Sequence, residues 1–315
     1  MASPSWPGGL VPHLRSRWQA WGRNLALFVL TFLSVVVIGS LNGSGAPDAS
    51  GWAAFNLGFG LRLAAGALAI LLAHEFGHYF AARYYGVDVT LPFFIPFPVP
   101  FASLVGTLGA FIRIRSPIPH RRALFDIGVA GPLAGFAVAL PVLWLGMREA
   151  SVRAVTAETN GIPLGAGLLF QWATELGHGS IPSGQSLFLG PLALAAWFGL
   201  LVTALNLMPI GQLDGGHAVY ALVRGRAHRI SRAASWLCVA LVYVSPSWIL
   251  WAILMRLLGR PHPPTLDDDA PIGAARLAVG VLTFAVFALC FMPDPIASSW
   301  SGLFEALGWT APTGS

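Results

Sequence analysis

Hydrophobic positions along the chain gather into six long runs, at roughly 24–42, 58–82, 125–147, 187–208, 233–257 and 273–292, separated by shorter polar stretches. Each run approaches the about 20 residues that a helix needs to cross a bilayer. The fifth run carries Pro246 at its middle, which predicts either one kinked span or two half-spans that turn back. Two further stretches break the helical pattern. Leu91–Pro100 is rich in Pro and Phe, and Gly106–Arg115 alternates in character, so neither reads as a helix.

Composition turns these runs into a class. Hydrophobic residues make up 56% of the 315 positions and charged residues 10%, against about 25% charged in a soluble domain. Such a chain cannot cover a soluble surface, and disorder, collagen and disulfide-rich scaffolds are excluded on the same numbers. The expected fold is an all-α polytopic membrane protein, with about six transmembrane helices and a short membrane-associated β-hairpin or re-entrant region. The net charge of +5 comes entirely from Arg, with no Lys in the chain. These arginines sit mostly between the apolar runs, which encodes membrane orientation rather than the clustered face of a nucleic-acid binder. Cys238 and Cys290 lie inside apolar runs without a CxxC partner, which speaks against a disulfide framework or a cysteine metal site.

Arginine placement also predicts topology. Arg15, Arg17 and Arg23 put the N-terminus in the cytoplasm, and the Arg-free loop around Asp48 outside. Arg113, Arg115, Arg121 and Arg122 precede the third run, and Arg224, Arg226, Arg229 and Arg232 follow the fourth. Both clusters are expected on the cytoplasmic face. The first run follows a 23-residue polar lead and is expected to stay as an anchor, although Ser44-Gly45-Ala46 offers small residues for signal cleavage. The expected organisation is a cytoplasmic tail over 1–23, a membrane-embedded domain over 24–292 and a tail over 293–315 of a multi-pass cell-membrane protein. The longest stretch between runs, about 40 residues, is short of an ordinary soluble domain. No repeat of the inverted-transporter kind is visible.

An ionisable group at the bilayer centre costs about 2.5–3.5 kcal/mol on insertion scales, so it marks a candidate site. Within or beside the apolar runs such groups concentrate in two segments. Ala73-His74-Glu75-Phe76-Gly77-His78-Tyr79 lies in the second run. Residues four apart share a helix face, so His74 and His78 can offer two imidazole nitrogens to one metal ion. Glu75, turned by about 100°, is placed to reach a water beside that metal as general base. This is the H-E-x-x-H arrangement. A third ligand is needed for a complete catalytic site, and Asn206-Leu207-Met208-Pro209-Ile210-Gly211-Gln212-Leu213-Asp214-Gly215-Gly216-His217 supplies two candidates. Pro209 and the glycines break a simple helix there. Chemistry favours Asp214; His217 is the rival, or an outer hydrogen-bonding partner. Both segments fall at the cytoplasmic ends of inward-running spans, so the arginine counts bring them to one depth.

Taken together, these motifs resemble the site-2 protease family of intramembrane zinc metalloproteases. The match rests on His74 to His78, on Asn206 to Gly215 with its Leu-Asp-Gly core, and on Ala130-Gly131-Pro132-Leu133-Ala134-Gly135 in the third run. The resemblance implies one zinc held by His74, His78 and Asp214, with Glu75 as catalytic base and Asn206 helping to stabilise the oxyanion. It also implies a minimal form, since the chain has room for neither a PDZ insertion nor a CBS pair. Beside this family, which carries a membrane-associated hairpin in this region, Gly106–Ile114 becomes a candidate substrate-aligning strand. Gly106, Thr107, Leu108 and Gly109 are its candidate contacts; the alternative is a loop folded over the membrane face. The implied reaction is hydrolysis of peptide bonds in or near a transmembrane helix, with single-span membrane proteins as substrates, lipid as environment and no nucleic-acid partner. Two other readings stand beside it: a divalent-metal transporter using the same three ligands, and a catalytically silent binder of membrane helices.

Overall fold

A computed structural model describes residues 12–43, 55–100, 103–156, 159, 161–258 and 264–297, with the backbone alone over 12–20. Of the described residues, 63% are helical. Among the described residues, three helices are long and apolar enough to cross a membrane: α1 (Pro12–Asn42, apolar over Trp21–Asn42), α2 (Leu57–Tyr84) and α3 (Arg121–Glu149). The expected loop around Asp48 and the tail beyond Ala297 lie outside the described residues. Helix α1 starts within the stretch expected to be an N-terminal tail.

The later runs are shorter as helices than their apolar length suggests. The fourth begins as a strand and continues as α5 (Pro191–Asn206), with Pro191 at the first helical position, where its missing N–H costs nothing. The fifth is two helices, α7 (Ala227–Leu241) and α8 (Trp248–Leu258), which pack together around the turn that holds Pro246. Between α5 and α7 lies the ten-residue α6 (Asp214–Val223), and the sixth run is α9 (Ala274–Cys290).

Helix α2 is the centre of the bundle, packed against α1, α3 and α5. Ile70 of α2, Ala139 and Leu143 of α3, and Trp197 and Leu200 of α5 share one buried cluster. Buried indole donors are satisfied: Trp197 Nε1 donates to the Gly165 carbonyl at 2.6 Å, and Trp248 Nε1 to the Pro293 carbonyl at 2.6 Å. The starts of α2 and α3 are capped from side chains. Asn56 Oδ1 accepts from the Phe59 N–H at 3.0 Å, and His120 Nδ1 from the Ala123 N–H at 3.1 Å.

Between α2 and α3 the chain forms an antiparallel hairpin, β1 (Phe93–Pro96) with β2 (Thr107–Phe111), Phe93 facing Phe111 and Phe94 facing Ala110. Helix α1 carries this hairpin. Asn24 Nδ2 donates to the Leu91 and Pro92 carbonyls at 2.9 and 2.7 Å, and Ser34 Oγ to the Gly106 carbonyl at 2.5 Å. Gly106 has φ 90°, and a Cβ there would lie 2.7 Å from the Ser34 carbonyl oxygen, so only glycine allows the hairpin this close to α1. At the far end of α3, β3 (Ser151–Ala154) and β4 (Gln185–Phe188) form a second antiparallel pair beside α4 (Leu168–His178).

A strap over 264–273 crosses the N-terminal end of α3. Asp267 N–H donates to the Pro119 carbonyl at 3.1 Å and Arg121 Nε to the Ala270 carbonyl at 2.7 Å. Asp268 on this strap is partly desolvated, which opposes its charge, but hydrogen bonds from Thr265 and Tyr220 hold its carboxyl below the usual range. The strap leads into α9, whose Arg276 pairs with Asp126 of α3 through Nη2 at 2.7 Å and Nε at 2.9 Å. The Tyr85 hydroxyl donates to the same carboxylate. Asp126 therefore joins the ends of α2, α3 and α9.

Candidate metal centre

The site is assembled from α2, α3 and the break between α5 and α6. His74 and His78 stand one helical turn apart on α2, buried, and Asp214 opens α6 at the same level. His74 Nε2 and His78 Nε2 are 3.2 Å apart, and each lies 3.3 Å from Asp214 Oδ2. Among the described residues, these three are the His, Cys, Asp and Glu group close enough to share an ion. The geometry therefore brings in Asp214 as third donor and leaves His217 outside the group. Gly128 of α3 instead approaches His217, where an added Cβ would meet the His217 Cβ at 2.9 Å.

The donor set fits zinc on its own terms. A carbonyl can only accept, so the 2.7 Å contact between His78 Nδ1 and the Ile127 carbonyl fixes the proton on Nδ1 and leaves Nε2 as a bare lone pair. That is the tautomer a metal ligand needs, with the outer nitrogen held by a backbone oxygen. Two imidazole nitrogens and a carboxylate oxygen, mutually 3.2–3.3 Å apart, match the edges of a tetrahedron with bonds of about 2.0–2.1 Å, which are about 3.3–3.4 Å long. One corner remains open, as catalytic zinc sites require.

Helix α3 shapes the other wall. A Cβ on Gly131 would overlap the His78 imidazole at Nε2, so the Ala-Gly-Pro-Leu-Ala-Gly segment is where α3 makes room for the ligand pair. Gly135, four residues on, lets α3 pass His74 in the same way, with a Cβ contact of 3.1 Å. Glu75 is 4% exposed, and Ile112, just beyond β2, brings its backbone N–H close to that carboxylate. Asn206, the last residue of α5, places its Nδ2 3.3 Å from His74 Nε2. The two candidate catalytic side chains therefore flank the donor triangle.

The hairpin lies where the sequence placed a strand rather than a loop, and its residues divide. Gly106 is the anchor to Ser34. Thr107 is buried, its Oγ1 donating to the Ile95 carbonyl at 2.9 Å, and Gly109 N–H donates to Thr107 Oγ1 at 3.0 Å. Leu108 and Phe111 are exposed. Sequence reasoning missed the Ile127 carbonyl and the Ile112 N–H, since a backbone group leaves no side-chain signal.

The chain matches the model of peptidase family M50 over residues 63–245, more than half its length and inclusive of every site residue above. Over 257 residues it is 32% identical to the probable zinc metalloprotease EGY1, chloroplastic, of Oryza sativa subsp. japonica, covering 79% of this chain and 42% of that protein. Identity to the Arabidopsis thaliana protein of the same name is 30% over 258 residues, covering 79% and 44%. For the probable zinc metalloprotease EGY2, chloroplastic, of Arabidopsis thaliana it is 28% over 231 residues, covering 72% and 41%. The chain thus spans less than half the length of these relatives. On the match across 63–245, together with the motifs it contains, the chain belongs to peptidase family M50, the site-2 protease family.

Proposed function

We propose that the protein is an intramembrane zinc endopeptidase that cleaves transmembrane segments of single-span membrane proteins. One observation carries this reading: the triangle of His74, His78 and Asp214 donor atoms, with Glu75 and Asn206 beside it at the depth of long apolar helices. Zinc bound there supplies a Lewis acid that polarises the scissile carbonyl and makes water acidic enough to be activated near neutral pH. Glu75 takes the proton of the attacking water and returns it to the leaving amine. The Asn206 amide donates to the oxygen on which negative charge develops, a contact of a kind contributing about 2.7–4 kcal/mol. The His78 tautomer stays fixed through the cycle because the Ile127 carbonyl holds its outer proton.

Substrate alignment is assigned to β2. An extended segment paired along this strand gains main-chain hydrogen bonds, and Leu108 and Phe111 offer exposed side chains to it. Ile112 follows β2 and lies beside Glu75, so the strand that aligns the peptide runs next to the base. The proposed setting is a cell membrane crossed about six times, by α1, α2, α3, α5, the α7–α8 pair and α9, with the N-terminus cytoplasmic and the site near that face. A transporter using the same ligands would need neither Glu75 nor Asn206.

The test is incubation of the purified chain with a panel of single-span membrane proteins, with and without a chelator. Chelator-sensitive cleavage within the apolar segment is expected. Intact substrates throughout, from a preparation holding one zinc per chain, would overturn the proposal.

A further inference from the structure

The α7–α8 pair lies apart from the metal centre and carries a graded surface. Arg229, Arg232, Trp236 and Val239 recur at i, i+3, i+7 and i+10 along α7, which sets them on one stripe. Helix α8 packs against that stripe, with the Arg256 guanidinium over the Trp236 ring, 5.3 Å from its centroid. Beyond this pair the two helices leave a groove of about 320 Å³ lined by Val239, Ala252, Ile253 and Arg256. Moving along the stripe, the surface changes from two exposed arginines, through an Arg–Trp belt, to a trough whose lining beyond Arg256 is aliphatic. Trp236 lies about 10 Å along the helix from Arg229.

The charges on this stripe have no protein counter-ion among the described residues. Arg62, Arg224 and Arg276 each have a carboxylate partner; Arg229, Arg232 and Arg256 have none. Exposed apolar side chains surround the groove, including Leu237, Leu250 and Ile253. An anion that also carries a long apolar chain satisfies both halves at once. Guanidinium forks match phosphate oxygens bidentately, and basic pockets between membrane helices favour anionic headgroups.

We propose that the α7–α8 groove binds one anionic glycerophospholipid, its phosphate between Arg232 and Arg256 and one acyl chain along Val239, Ala252 and Ile253.

The test uses the full chain in mild detergent, incubated with equimolar phosphatidylglycerol and phosphatidylcholine and read by native mass spectrometry. The wild type should retain one phosphatidylglycerol in preference to phosphatidylcholine. Arg232→Gln with Arg256→Gln should lower that retention at least tenfold, and Arg224→Gln, off the stripe, should leave it unchanged. Ile253→Trp fills the trough with both charges intact, and it should also release the lipid. Zinc content measured on each variant reports that the fold is kept. Glycerol phosphate, which has the charge without the chains, should not compete. Equal retention of the two lipids, full competition by glycerol phosphate, retention unaffected by Ile253→Trp, or a second copy of the chain in place of lipid would each overturn the proposal.

Discussion

Gly131→Ala puts the donor geometry under direct stress. The added methyl has no space, because its Cβ falls on the His78 ring at the nitrogen that faces the other two donors. The ring is buried, and its far nitrogen is held by the Ile127 carbonyl at 2.7 Å, so it cannot slide away and must rotate. Overpacking of this kind costs about 1–3 kcal/mol. Set against metal binding at about 1.4 kcal/mol per decade, that corresponds to about a 5- to 150-fold loss of zinc affinity. Rotation that frees the Nδ1 proton from its carbonyl adds the penalty of a buried unpaired donor, about 1–3 kcal/mol more. Gly135→Ala is the matched control: its Cβ contact with His74 is 3.1 Å, a tightness that a shift of a few tenths of an ångström relieves. Competition with a chromophoric chelator gives zinc affinity, and thermal unfolding of the same preparations separates local from global damage. Wild-type zinc affinity in Gly131→Ala would refute the placement of α3 against the ligand pair.

Other expectations probe the remaining roles. Glu75→Gln should keep one zinc per chain and lose cleavage by about 10²–10⁴-fold, the range for a general base; near-wild-type cleavage would assign the base elsewhere. Asp214→Ala should lose zinc on dialysis, whereas His217→Ala should weaken binding or activity by no more than the about 10–100-fold of an outer partner. Zinc kept in the first and lost in the second would reverse the ligand assignment. Asn206→Ala should lower kcat by about 10²–10³-fold with zinc retained, and an unchanged kcat would remove it from the oxyanion role. Ala110→Pro takes an N–H from β2, so cleavage should fall with zinc unchanged; full activity would leave the hairpin without a part in alignment.

What could be read from the sequence was set by side-chain chemistry, and what could not was set by backbone and by length. His74, Glu75 and His78 declare themselves because ionisable groups four or fewer apart in an apolar run have few structural excuses. Asp214 was separable from His217 only by chemistry, and the structure places just the former beside the imidazoles. The fourth run misled because apolarity measures burial and not helix length, and Gln185–Phe188 pairs with Ser151–Ala154; in the fifth, Pro246 marked the break without choosing between a kink and a turn, and the chain turns there between α7 and α8. The Arg276–Asp126–Tyr85 cluster was invisible because its members lie up to 191 positions apart, and no local spacing announces a pairing of that range.

The break between α5 and α6 shows how irregular backbone is tolerated beside an apolar bundle. Every free N–H there needs a partner, since a lipid environment offers none. Leu207 N–H reaches the Thr203 carbonyl at 3.0 Å, Met208 that of Leu205 at 3.3 Å, Ile210 that of Met208 at 2.7 Å and Leu213 that of Ile210 at 3.1 Å. Pro209 brings no N–H to satisfy. Gly211 N–H is taken by Ser231 Oγ of α7 at 2.9 Å, so a helix from beyond the site supplies one of the partners. The loop is thereby short, internally bonded and fixed at both ends, which lets Asp214 stand at the start of α6 facing two histidines that belong to a different helix. A continuous α5 helix through this segment would satisfy the same backbone groups with less help, but it would have no break at which to turn the carboxylate toward α2.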